Sequence, residues 1–151
     1  MNTFKNPIIS QPGAGRMALG FGPHLIRMSA EETAGCFGLF EADIPAGEGP
    51  PLHIHEREEE FFRVLSGRFL FVCGDTRTEV GEGGCVLLPR GVAHRFQNVG
   101  TSIGRLMIIV TPGGFEGFFG AVEEAGPAGL EAVLACYGIR FVGLGADARA
   151  A

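Results

Sequence analysis

A chain of 151 residues that is 46% apolar and only 19% charged has the length for a real core and the composition of a folded globule, not of a disordered segment. A net charge of −5 without any basic cluster argues against nucleic acid or an anionic membrane surface as partner. No apolar run approaches membrane-spanning length, and the start, Met1 to Pro7, has no signal-type apolar stretch, so a cytoplasmic location is expected. The four cysteines, Cys36, Cys73, Cys85 and Cys136, are scattered without a Cys-x-x-Cys pair. They are expected to be small buried apolar groups and not disulfide partners.

Twenty-five glycines and nine prolines point to many short strands joined by tight turns. Residues 1–16 carry Pro7, Pro12, Gly13 and Gly15 without periodicity and read as an extended arm, laid over the domain or over a partner subunit. Residues 17–29 read as one or two edge strands, with His24 as a turn or edge histidine. After a loop at 30–35, residues 36–44 form a strand covered on both faces. A Gly/Pro-rich segment from Pro45 to Pro51 leads into Pro51-Leu52-His53-Ile54-His55.

The polar stretch Glu56 to Glu59 reads as a loop that resets the register. Extended structure resumes at Glu60 and ends at the turn pair Ser66-Gly67. Residues 68–73 and 76–80 make a hairpin around Gly74-Asp75, and 85–88 a short buried strand closed by Pro89. Two further strands are expected at 94–98 and 103–110. Some eight to ten strands with hairpin-length connections fit a closed or nearly closed antiparallel barrel.

Beyond Pro112 the pattern changes. Phe115, Phe118, Phe119 and Val122 recur at helical spacing, Pro127 suits the first turn of a second helix reaching Tyr137, and 139–144 reads as a short returning strand before a fraying, alanine-rich end. The expected organisation is an arm at 1–16, a barrel at 17–112 and a helical extension at 113–151. Phe115, Phe118 and Phe119 are read as core, with a lid or a dimer contact as alternatives.

The chemistry lies in the histidines. His53 and His55 are two apart, so on a strand both imidazoles point to one face, one pleat apart. A third imidazole, His94, follows the Pro89-Arg90-Gly91 turn. Together with a carboxylate from Glu59 or Glu60 they form a metal-ligand inventory.

The wider spacing carries more. Gly47 precedes His53 by six residues, Glu60 follows His55 by five, and Gly67 follows Glu60 by seven. In the second block Gly83 precedes Pro89 by six, and Gly91, His94 and Asn98 follow. These residues resemble the two motifs of the cupin superfamily over residues 35–110. The resemblance implies an all-β fold, a double-stranded β-helix or jelly-roll barrel with short C-terminal helices. It also implies that His53, His55, Glu60 and His94 bind a divalent metal inside it, the spacing to Gly67 selecting Glu60 over Glu59.

Leu88 to Asn98, followed by Ile108 to Phe119, looks similar to single-domain cupins related to quercetin dioxygenases. That likeness implies a metal-dependent dioxygenase with Glu60 as catalytic base. The acidic residue common after the first glycine of the second motif is replaced here by Gly84. A non-oxidative cupin enzyme (isomerase, lyase or decarboxylase) and a non-catalytic binding protein are the alternatives.

Three imidazoles and one carboxylate leave about two of six octahedral positions open for water, O₂ or a chelating substrate. Iron, manganese, nickel, cobalt, copper and zinc are all compatible. Phe62, Phe71, Phe96 and Met107 are the expected pocket lining, joined by Phe69 and Ile109, which favours a hydrophobic or flat small organic substrate. Arg95 and Arg105 are expected on the surface. Exposed edges and the Phe-rich region suggest a homodimer.

Overall fold

The computed structural model describes Phe4 and residues 6–143. The alanine-rich end and the last residue of the expected 139–144 strand lie outside the described residues. In chain order the strands are β1 (Arg16–Ala18), β2 (His24–Met28), β3 (Gly38–Ile44), β4 (His53–His55), β5 (Glu59–Ser66) and β6 (Arg68–Cys73). They continue with β7 (Thr76–Gly81), β8 (Cys85–Leu88), β9 (His94–Asn98) and β10 (Gly104–Thr111). A 3₁₀ turn (Phe115–Gly117), helix α1 (Phe118–Tyr137) and β11 (Ile139–Phe141) complete the fold.

The strands form two antiparallel sheets. One has the order β1-β2-β3-β10-β5-β8, the other β11-β4-β9-β6-β7. Alternation sets which side chains meet between them. On β10, Leu106, Ile108 and Val110 are buried, opposite Phe62 and Val64 of β5 and Phe40 and Ala42 of β3. Phe69 and Phe71 of β6 join them in one core cluster. Burying each such phenylalanine is worth about 1.5–3 kcal/mol.

The turn between β5 and β6 shows what its glycine is for. Gly67 sits at φ 89°, and a Cβ there would lie 3.0 Å from Gly104 Cα. Both the left-handed backbone and the close approach disfavour a side chain.

The expected pair of helices appears as one helical run with a break. Gly126 leaves the helical region (φ 61°, ψ −174°), and Pro127 opens the second segment, where its missing N–H costs no hydrogen bond. Gly138 closes the run in the left-handed conformation, donating to the Ala135 and Leu134 carbonyls. Phe115, Phe118 and Phe119 are buried and belong to the core cluster.

The cysteines correct an expectation. Cys36, Cys85 and Cys136 are exposed and Cys73 only partly buried; all four are free thiols. Parity explains Cys85: it pairs with Arg63 on the outward face, one position out of step with inward Leu88. Burial pushes the Cys73 thiol pKa up. Among the described residues no helix is long and apolar enough to cross a membrane.

Candidate metal centre and cavity

His53 and His55 lie at the two ends of β4, and the register places His53 directly opposite His94 of β9. All three imidazoles therefore come from one sheet. Glu60 comes from the other, on β5, where it pairs with Val110 and Leu88. Parity alone would set Glu60 on the face opposite to His53 and His55. The bend at residues 56–57 between β4 and β5 resets the count.

The four side chains are buried, at 7%, 1%, 5% and 0% exposure for His53, His55, Glu60 and His94, and one ligand atom from each lies within 4.8 Å of all the others. Glu59, the competing carboxylate, faces outward and forms an ion pair with the Arg90 guanidinium, which holds its pKa below the usual value.

Each imidazole is oriented by what its Nδ1 meets. His53 donates Nδ1–H to Pro51 O at 2.8 Å and His94 to Val92 O at 2.9 Å. His55 Nδ1 faces the buried Glu58 carboxylate at 3.3 Å. With the proton fixed at Nδ1, Nε2 carries the lone pair, the tautomer a metal requires.

Those nitrogens converge on Glu60: His94 Nε2 is 3.0 Å from Oε2 and His55 Nε2 is 3.4 Å from Oε1. Among the described residues His55 Nε2 is the one buried side-chain nitrogen or oxygen without a hydrogen-bond partner. An orphaned acceptor beside a buried carboxylate is what a cation would satisfy. Two donors about 2.1 Å from one ion lie at most ~4.2 Å apart, so only a small contraction brings the set onto a metal.

Burial on its own would raise the Glu60 pKa. Interaction with the surrounding histidines, His55 foremost, outweighs it and holds the carboxyl below its ordinary value. Burial dominates at His53, whose pKa falls to about 4. An ionised carboxylate and a neutral imidazole are the ligand forms of both groups.

Beside this cluster lies a cavity of about 310 Å³ whose walls include His53, His55 and Glu60 together with Phe40, Phe96, Phe115 and Phe119. Of the expected lining residues, Phe96 is among its walls. Phe62 and Phe71 instead pack against Phe96 in the core, at 5.5 and 6.2 Å between ring centroids. Phe69 is likewise fully buried in that cluster.

Met107 and Ile109 alternate to the outer face of their sheet, opposite Glu41 and Arg63, and Leu39 and Phe61, respectively. The uninterrupted apolar run from Leu106 to Val110 hides that parity. Arg105 is on the surface, paired with Asp43 at 2.7 Å, and Arg95 is half-buried.

Three residues escaped the sequence reading. Glu58 supports His55 but lies within a stretch that reads as a polar loop. Glu116 is 3% exposed, and its carboxylate accepts from Ala30 N at 2.5 Å and Gly114 N at 2.7 Å, tying the Phe-rich turn to the loop before β3. His24 is neither a turn nor an exposed edge residue: it is 7% exposed, opposite Ala42, stacked on Phe119, and part of the cavity wall. Alternation with buried Ile26 was the signal that could have found it. Asn98 is no ligand; its amide donates to Ile44 O and Ser102 O and accepts from Gly100 N, fastening the loops around the site.

Two antiparallel sheets enclosing three histidines and a glutamate define a class of β-protein with a possible metal centre. Residues 40–110 match the cupin domain family. Protein SchB of Streptomyces halstedii is 32% identical over 107 residues, covering 68% of this chain and 76% of that protein. An uncharacterized protein of Methanocaldococcus jannaschii is 34% identical over 62 residues, covering 41% of this chain but only 50% of its own length. In fold, a variant of oxalate decarboxylase from B. subtilis superposes with a TM-score of 0.62 at 20% identity, over 76% of this chain and 32% of that one. The chain belongs to the cupin superfamily.

Proposed function

We propose that this cupin is a metal-dependent dioxygenase acting on a small aromatic or enediol-type compound, as its likeness to quercetin dioxygenase-related cupins implies. The observation that carries the reading is the joint arrangement of four buried ligand side chains and an aromatic cavity opening onto three of them. His53, His55, Glu60 and His94 would hold a divalent transition metal. When bound, such an ion supplies Lewis acidity toward a chelating substrate and, where redox-active, a path for electrons to O₂.

The chain's own groups do the rest. Pro51 O, Val92 O and Glu58 keep the imidazoles aimed, so little reorganisation is required when a ligand enters. The phenylalanines exclude water and seat a flat ligand. Glu60, ionised and within the cavity wall, is placed to accept the proton of a substrate hydroxyl.

The test is elemental analysis of chelator-free protein, parent beside His94→Ala, followed by oxygen uptake over a panel of flavonols, diketones and enediols. Stoichiometric redox-active metal and substrate-dependent oxygen consumption, both lost in the variant, support the reading. Turnover that proceeds unchanged without oxygen would overturn the dioxygenase assignment in favour of an isomerase, lyase or decarboxylase.

A further inference from the structure

Besides His53 and His55 the cavity wall carries a third histidine, one that belongs to neither cupin motif. His24 is 93% withdrawn from solvent, being 7% exposed, yet it forms part of the cavity wall. Its Nδ1 lies 2.9 Å from Gly22 O. A carbonyl can only accept, so Nδ1 carries the proton and Nε2 is left with a lone pair. No described residue partners Nε2, and the atom keeps contact with the solvent of the cavity, His55 Nε2 being the one fully buried orphan among the described residues. Burial lowers the His24 pKa to about 4, so the ring is neutral at physiological pH and its free edge is an acceptor.

The surroundings restrict what that acceptor can meet. One face of the imidazole is covered by Phe119, stacked at 3.5 Å and 12°, and Phe40 meets the ring edge-on at 6.0 Å. A ligand therefore reaches Nε2 along the plane of the ring. Phe119 packs on Phe115, which in turn contacts His55, so the acceptor and the ligand cluster share one aromatic wall.

Among the described residues no lysine or arginine lines the cavity. Of the carboxylates there outside the metal set, Asp43 is neutralised by Arg105 and Glu48 is exposed. A carboxylate or phosphate on the ligand would have no cationic side chain to offset its desolvation.

We propose that His24 is a specificity-determining residue of this cavity, its Nε2 accepting a hydrogen bond from the hydroxyl of an uncharged, planar aromatic ligand seated among the phenylalanines. This deepens the enzyme reading above by naming the ligand class, and it rests on that reading only for the cavity being the ligand's seat. The division of labour is chemical: a metal held by the four-residue cluster would take the chelating oxygens, and His24 reads a separate hydroxyl. An acceptor in an apolar cavity wall, once a ligand displaces its water, discriminates against analogues that lack the donor, because they leave it unsatisfied.

The test uses the full chain treated with chelator, so that metal plays no part. 2-Naphthol, 2-methoxynaphthalene and 2-naphthoate are titrated by ligand fluorescence; a bicyclic phenol fits a cavity of this size. The parent should bind 2-naphthol about tenfold more tightly than its methyl ether, which has the shape without the donor, and should bind the carboxylate most weakly.

His24→Phe, which keeps the stack on Phe119, should bind both neutral probes with a ratio near one. His24→Gln, which restores an acceptor, should recover part of the preference. Equal binding of phenol and ether by the parent, or no binding of either, overturns the proposal. So does a preference unchanged in His24→Phe, or tighter binding of the carboxylate.

If His24→Phe fails to fold by circular dichroism, the parent and the His24→Gln variant decide. His94→Ala should keep the naphthol preference. Loss of metal in that variant with the preference intact separates the two readings, and a parent that binds no metal yet discriminates the phenol sinks the enzyme reading alone.

Discussion

His94 Nε2 lies 3.0 Å from Glu60 Oε2, a contact that joins the two sheets at the centre of the site. Because His94 Nδ1 already donates to Val92 O, the approach of Nε2 to a carboxylate is favourable only when a second proton or a cation stands between them. A metal ion satisfies both groups at once, together with orphaned His55 Nε2. His94→Ala should therefore weaken metal binding by at least about 100-fold, more than the loss of an outer partner would. Far-UV circular dichroism should show the sheets retained. Unchanged metal content by elemental analysis would remove the ligand assignment.

Glu58 offers a finer test. It touches no metal position; its carboxylate faces His55 Nδ1 from within the protein, at 6% exposure. Glu58→Ala should lower metal affinity roughly tenfold, because His55 loses the group that fixes its tautomer and ring orientation. Glu58→Gln still presents a carbonyl oxygen to Nδ1–H and should retain most of the affinity. Competition titration against a metal-binding dye reads both. Equal losses in the two variants would mean that charge, and not ring orientation, is what Glu58 contributes.

Glu116 is a stability element of the site. Its buried carboxylate accepts backbone N–H groups from Ala30 and Gly114, positions far apart in sequence. Glu116→Ala leaves both donors without a partner and should cost about 2–3 kcal/mol in urea unfolding, whereas Glu116→Gln, which keeps one acceptor, should cost less. Because Phe115 and Phe118 adjoin this anchor, the Ala variant should also weaken binding of an aromatic probe. A midpoint unchanged in Glu116→Ala would show that solvent satisfies those amides.

The way these residues came to light shows what a sequence can and cannot disclose here. His53 and His55 were legible because a period of two is local: once the segment is a strand, both rings share a face. Glu60 and His94 were legible through the resemblance of the residues around them to the two cupin motifs. Phe62, Phe71 and Met107 were misplaced for a different reason. Their strands are apolar on both faces, so hydrophobicity alone could not say which residues reach the cavity and which fill the core or the outer face. Glu116 was invisible because one of its two partners, Ala30, is brought to it by a tertiary contact across 86 residues. His24 had a local signal, its alternation with Ile26, but a histidine next to a proline reads equally well as a turn.

That histidine also sets a pH dependence whose sign is fixed by its burial. The His24 pKa falls from 6.5 in the unfolded chain to about 4 in the folded one. Above pH 6.5 both states are neutral and His24 makes no difference. Between 6.5 and about 4 the unfolded chain takes up a proton that the native state refuses, so stability falls as the pH falls. Below about 4 both are charged and the loss levels off, at roughly 3 kcal/mol for a shift of this size. In chelated protein, urea midpoints measured from pH 7.5 to 4 should therefore drop more steeply for the parent than for His24→Phe, which cannot titrate. The buried ligand histidines are present in both and cancel from the difference. Parallel curves would mean that His24 is as readily protonated folded as unfolded, and that its Nε2 edge is open to water.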